Sequence, residues 1–426
     1  MLNLLIILFT ILTPQEIERR TAIDFNKRLS DIMPYIQKYY PNADSTQITK
    51  WEESKALEYR MINGEKWYFR RADENLFRID TEAKHLKTKL EGKERAGRDE
   101  VTERHIRQVL SEPSNKKNLY AKHEWDFHFW LFFTENSGLV NNELIKVWLP
   151  MPQTELHRQT NVSIKYTNRN VKINTGTHAT AYMEGLYNAN DTTKFEITYS
   201  FTTHAEYNPL PKCFKHKKAD SNNPELKQYL TERAPHCLFT EKITSLADSI
   251  VDNEKRPYYQ ARKLFTAIRK LYPWAGACEY SIIQNIPEYV IDNRHGDCGQ
   301  VTLLYIAMCR YLGIPARWQS GFMLHPGWDN LHDWCEIYIE GMGWIPVDVS
   351  FGVQQWGKTE AERYFYFGGI DAYRLIINTD WGAELEPKKN FERSETVDFQ
   401  RGECETENKN LYFDKWKSRF TVILKQ

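Results

Sequence analysis

A chain of 426 residues with 57 Lys and Arg against 57 Asp and Glu has no formal net charge, which excludes the basic excess expected of a nucleic-acid-binding protein. Apolar residues are 41% and charged residues 27%, enough to build buried cores and unlike the composition of a wholly disordered chain; the length allows roughly two to four domains. Aromatic residues reach 14%, a content that fills β-rich cores or lines grooves.

Residues 1–12, M-L-N-L-L-I-I-L-F-T-I-L, are too short to span a bilayer. They resemble the apolar part of an export signal, without its basic start or small-residue cleavage site. The reading leans to export, to the periplasm or cell envelope. The other reading is a buried start of a cytoplasmic protein. Residues 13–118 are strongly charged and form a largely helical region. Apolar spacing predicts a helix over 14–39, a second over 51–60 and a third over 100–110, with an Asn63-Gly64 turn after the second. The polar run 83–98 reads as a solvated helix or loop.

From residue 119 the pattern turns to strands, at 125–133, 144–149, 162–166, 180–184 and 194–201. Such regular short strands suggest a β-sandwich over 119–210. A basic linker follows at 211–235. Helices are expected at 240–251 and 258–271. A core occupies 236–385, and a C-terminal β segment 386–426, with strands near 410–413 and 419–424.

The chemistry concentrates between Asn293 and Gly352. Gly296-Asp297 makes a turn, Cys298 opens an apolar helix, and Gly313 and Pro315 stop it. A thiol at a helix N-terminus meets the positive end of the dipole and free N–H groups, which favour thiolate and can face an oxyanion. His332 opens the strand H-D-W-C-E-I-Y-I-E, where alternation groups it with Trp334, Glu336 and Tyr338 and turns Cys335 away. Asp348 lies in the returning strand. Cysteine, imidazole and carboxylate in this order suit acyl transfer.

Pairing around a three-residue turn at 341–343 sets Asp348 opposite Glu336, four residues from His332, so a bulge at Pro346 is expected to close the gap. Failing that, Asp329 or Asp333 would orient the imidazole. The other cysteines, 213, 237, 278, 309, 335 and 404, read as packing residues. No C-x-x-C pair occurs, and the odd count leaves at least one thiol free. His332-x-x-Cys335, with His295 and Cys298, is the nearest approach to a metal set, but a strand points the pair to opposite faces; no metal or cofactor is expected.

These pieces together resemble the transglutaminase-like superfamily: Gly296-Asp297-Cys298-Gly299, Gly313-Ile314-Pro315-Ala316-Arg317, His332-Asp333-Trp334-Cys335-Glu336, and Gly343-Trp344 with Asp348. The resemblance spans about residues 264–351. It implies an α+β fold with a papain-like core, and a Cys-His-Asp triad of Cys298, His332 and Asp348. Tyr280 and Trp274 are candidate oxyanion donors. The implied activity is thioester-based acyl transfer on a peptide or carboxamide, hydrolytic as in a cysteine peptidase, or cross-linking as in a transglutaminase. A non-catalytic module binding peptide or glycan is the reading from another class. A peptide or protein substrate is the expected partner, with no nucleic acid and no stable membrane span. Oligomeric state is left open.

Overall fold

A computed structural model describes residues 12–154 and 156–425. The apolar opening segment falls almost wholly outside them. The fold is α+β. Its N-terminal region is helical, but the helix expected over 14–39 is two, Pro14–Asp24 and Leu29–Ile36. Between them Lys27 exchanges backbone hydrogen bonds with Tyr68, a tertiary pairing that overrides helical spacing. The helix expected over 51–60 runs instead over Ser45–Glu53, with Asp44 accepting from the Gln47 N–H at 2.9 Å. Tyr59–Ile62 is a strand, because Asn63 and Gly64 both take positive φ, 52° and 81°, and close a tight hairpin onto Glu65–Tyr68. The polar run contributes the helix Thr81–Glu91, followed by Ala96–Ser111.

Two five-stranded sheets form the next layer pair. In one, Leu119–Phe133 lies between Lys194–Tyr207 and the C-terminal strand Trp416–Lys425. In the other, Leu144–Pro150 lies between Thr180–Leu186 and Glu403–Thr406. Trp125, Phe127, Phe129 and Leu131 from the first sheet share a buried cluster with Ile145, Val147, Leu149 and Met183 from the second. The C-terminal strands thus complete the sandwich after the chain has passed through the core.

That core is a four-stranded antiparallel sheet in the order Gly343–Val347, Asn330–Ile339, Ala316–Met323, Arg374–Asn378. One face meets two partners. Cys335 and Ile337 pack with the helix Cys298–Tyr311 and with Pro257–Leu271 behind it, while Phe322 and Leu375 pack into the sandwich cluster. The helix N-terminus sits where the first contact gives way to the second.

The candidate active site

The cysteine helix starts at Cys298 because Asp297 caps it. The Asp297 carboxylate accepts from the Gln300 N–H at 3.0 Å, and the Gln300 side chain accepts from the Asp297 N–H at 3.1 Å, a reciprocal capping box. The Tyr280 hydroxyl donates to the same carboxylate at 2.6 Å. Burial pushes Asp297 up to about 6. Cys298 is half-buried and Cys213 exposed, whereas the other five cysteines are buried; all seven are free thiols.

His332 and Asp348 meet. Nε2 of His332 lies 2.7 Å from an Asp348 carboxylate oxygen. The turn that permits this is not the one expected. Its loop is 340–342, so Ile339 pairs with Gly343 and Glu336 with Pro346. The pairing slides by two residues, Pro346 stays in register without a bulge, and Asp348 falls diagonally across from His332, within reach of a ring. Asp348 also accepts from the Ser350 and Phe351 N–H groups at 3.0 Å each and pairs with buried Arg374 at 3.0 Å. Against the penalty of burial, His332 and Arg374 hold it below the usual carboxylate range. Burial pushes His332 below its ordinary value, against the pull of Asp348. A neutral imidazole held this way donates from Nε2 to the carboxylate and leaves Nδ1 as an acceptor.

Cys298 is engaged elsewhere. Its Sγ donates to Asp333 at 3.2 Å, and no hydrogen bond joins it to His332. Strand alternation explains this: residue 333 points to the helix side and residue 332 away. Burial, then the charges of Asp333 and Asp297, push the Cys298 thiol well up, so the thiolate expected from helix position alone is not the resting form. Asp333 itself is raised to about 8 by burial and by Asp297. Gln400 holds the junction from behind, its amide donating to the His332 carbonyl at 3.0 Å and to Asp333 at 2.7 Å. Gly299 is required beside it, since a Cβ there would run into the Tyr280 hydroxyl and the Asp333 carboxylate. Arg374, which also pairs with Asp371 at 2.8 Å, and Gln400 escaped sequence reasoning. Neither sits in a motif, and Gln400 lies 68 residues beyond His332 along the chain.

Of the two oxyanion candidates, Tyr280 has committed its proton to Asp297. Trp274 bridges to Gly296, two residues before the cysteine, with the Arg95 guanidinium 4.2 Å and the Arg78 guanidinium 5.0 Å from its ring centre. Asp329 lies in the exposed loop before the histidine strand. The four residues weighed as a metal set are not gathered: Cys335 turns to the Val347 carbonyl, and both His295 ring nitrogens are sealed without a partner. Among the described residues, no three His, Cys, Asp or Glu side chains are placed to hold a metal ion, and no helix is long and apolar enough to cross a membrane.

Residues 244–349 match the profile of the transglutaminase-like superfamily. The chain carries a transglutaminase-like domain. The match covers Cys298, His332 and Asp348 and leaves out the N-terminal helices and the sandwich. No curated protein matches. Among solved structures, a candidate cysteine protease from Cytophaga hutchinsonii is similar at 16% identity and TM-score 0.46, over 71% of this chain and 99% of that one. The periplasmic domain of TgpA from Pseudomonas aeruginosa, bound to ethylmercury, is similar at 15% identity and TM-score 0.29, over 58% and 94%. A candidate protease from Parabacteroides distasonis is similar at 9% identity and TM-score 0.22, over 50% and 47%.

Proposed function

We propose that this transglutaminase-like protein is an enzyme in which Cys298 attacks a peptide or carboxamide carbonyl, with His332 as base and Asp348 as the group that orients it. The observation that carries the reading is the His332–Asp348 pair at 2.7 Å, one residue along the strand from the carboxylate that holds the Cys298 sulfur. The strand before Asp348 ends at Val347, opposite Cys335, so no strand pairs with His332 at that edge of the sheet, although the residue is buried. Rotation of the Cys298 side chain off Asp333 carries the sulfur around that edge toward Nδ1. His332 takes the thiol proton, the sulfur adds to the carbonyl, and the amine leaves with that proton as the thioester forms. Water then adds, its proton returning through His332, to release a carboxylic acid and regenerate the thiol. The Cys298 N–H at the helix start, with the Trp274 indole N–H, is the favoured oxyanion donor set.

Hydrolysis is the favoured outcome, and transfer to a lysine amine is the alternative. A non-catalytic module binding peptide or glycan has one observation on its side, the resting thiol bonded to a carboxylate. Intact-mass trapping against a peptide library, with and without a lysine amine, separates these readings. The enzyme reading expects a Cys298 adduct that is lost in Cys298→Ala and accumulates unresolved or fails to form in His332→Ala. An amine-containing product would indicate transfer. A wild-type protein that forms no adduct with any peptide, while binding one, favours the module. Export belongs to the same proposal, on the strength of the apolar opening segment alone, and cell fractionation tests it.

A further inference from the structure

One helix ahead of the family match and one inside it bring cations to the elements around the site. Arg95 and Arg98 stand at the start of the helix Ala96–Ser111, and Arg269 near the end of the helix Pro257–Leu271. All three are half-buried. Arg95 covers the Trp274 ring at 4.2 Å, and Trp274 bridges to Gly296 in the turn before Cys298. Arg98 covers the Phe351 ring at 4.8 Å, and Phe351 meets the His332 ring edge-on at 5.3 Å. Arg269 packs on Gly352, beside the Asp348 turn. Two guanidinium groups thus lie over aromatic rings, one joined through its backbone to the turn before the cysteine and one against the imidazole, and the aliphatic part of the third side chain packs beside the turn that follows Asp348.

The nearby acids are already taken. Glu74 is held by Arg71 and Arg78, Glu94 by Arg78, and Asp99 by Lys93 at 2.6 Å. Arg98 has only a 3.3 Å contact to that shared Asp99, and its Nε is sealed without a partner. Arg269 donates to the Tyr272 carbonyl at 3.0 Å, and neither it nor Arg95 has a carboxylate partner among the described residues. Burial and neighbouring guanidinium charge hold Arg95 down to about 10, and burial does the same to Arg269 despite Asp348. The opposing groups are Asp297, bound by Tyr280 and Gln300, and Asp333, bound by Cys298 and Gln400 and raised by burial and by Asp297 to about 8. Guanidinium groups short of carboxylate partners match a carboxylate better than any other common peptide group.

We propose that Arg95 and Arg98, supported by Arg269, form a subsite for a carboxylate on the acyl donor, next to the carbonyl that Cys298 attacks. The substrate class is then an acidic peptide: one with a free terminal carboxylate or an Asp or Glu side chain beside the scissile amide. The start of the helix Ala96–Ser111, ahead of the family match, supplies two of the three guanidinium groups, and a helix within the match supplies the third. The inference rests on Cys298 as the nucleophile, and its test does not need turnover.

The test compares alkylation of each cysteine in the full chain by iodoacetate, an anion, and by iodoacetamide, its neutral counterpart. In both reactions the thiolate displaces iodide. Peptide mass mapping at mildly alkaline pH and low ionic strength reads the two rates, and exposed Cys213 is the internal reference. The ratio of iodoacetate to iodoacetamide rate at Cys298 should exceed that at Cys213 roughly 10-fold. It should fall toward the Cys213 value in Arg95→Gln/Arg98→Gln and at high salt, and survive in part in Arg98→Lys. A ratio at Cys298 no higher than at Cys213 overturns the subsite. So does a ratio that neither salt nor the double variant lowers, and so does a Cys298 that neither reagent reaches. Should the double variant not fold, the wild-type ratio and its salt dependence decide. An anion preference without any acyl-enzyme sinks the catalytic reading and leaves the subsite; an acyl-enzyme indifferent to carboxylates sinks the subsite alone.

Discussion

The Cys298 thiol rests on Asp333, a carboxyl group on the opposite face of the strand from His332. This contact makes a residue-scale prediction. Burial is the larger cause of the raised thiol pKa, and the Asp333 charge the next, so Asp333→Asn should move the alkylation profile of Cys298 to lower pH while leaving that of Cys213 in place. An unshifted profile would mean that Asp333 only packs. Asp348→Asn has a different signature. An amide cannot stabilise an imidazolium as a carboxylate does, and turnover should drop by up to about 10⁴-fold, the size of effect seen when a triad carboxylate is neutralised. Because Asp348 also binds Arg374, the variant should melt earlier as well, and calorimetry beside the rate assay separates the two losses. Cysteine, histidine and aspartate were legible as types and in order, since each stands in a local pattern of turn, helix and strand. The contact between Cys298 and Asp333 was not, because a count of residues says which face a side chain takes but not what waits there.

At the scale of elements, the ladder between Asn330–Ile339 and Gly343–Val347 places Asp348, and its register was misjudged by two residues. The loop is 340–342, with Gly341 at φ 89° in its middle and Gly343 at φ 81° just after it. Two glycines that both take the left-handed region can serve several turns of similar length, and only the packing of Ile337 and Ile345 in the core selects one. The neighbouring ladder carries a stricter demand. A Cβ on Gly321 would collide with the Leu375 carbonyl across the sheet, and Gly321 stands opposite His332. Gly321→Ala should therefore destabilise the protein by about 1–3 kcal/mol and lower activity beyond what the lost stability explains. Equal stability by chemical denaturation would contradict that geometry.

For the whole molecule, the helix Ala96–Ser111 ties the N-terminal region to the sandwich and the core. His105 on this helix accepts from the Ala372 N–H at 3.1 Å and packs on Tyr373 and His123. Burial pushes it down to about 4. With the folded value below the unfolded one, the stabilisation is whole above pH 6.5 and is lost as pH falls toward 4, when the protonated ring can no longer accept. Hydrogen exchange, corrected for intrinsic rates, should show protection of this helix falling over that range relative to Glu241–Val251, which carries no histidine. Equal changes in both helices would assign the acid response to the molecule as a whole.

Local pattern was enough to read the helix that Cys298 opens, the strand that His332 opens and most sandwich strands, because caps, turns and period-two alternation act over a few residues. The same logic could not foresee that Trp416–Lys425 would return to pair with Leu119–Phe133, or that Gln400 would clamp the site. Nor could it foresee that Arg95 and Arg98 would come to lie over Trp274 and Phe351 from a different part of the chain. Those meetings depend on which distant surfaces bury each other, and burial is decided by the assembled layers rather than by neighbours along the polymer.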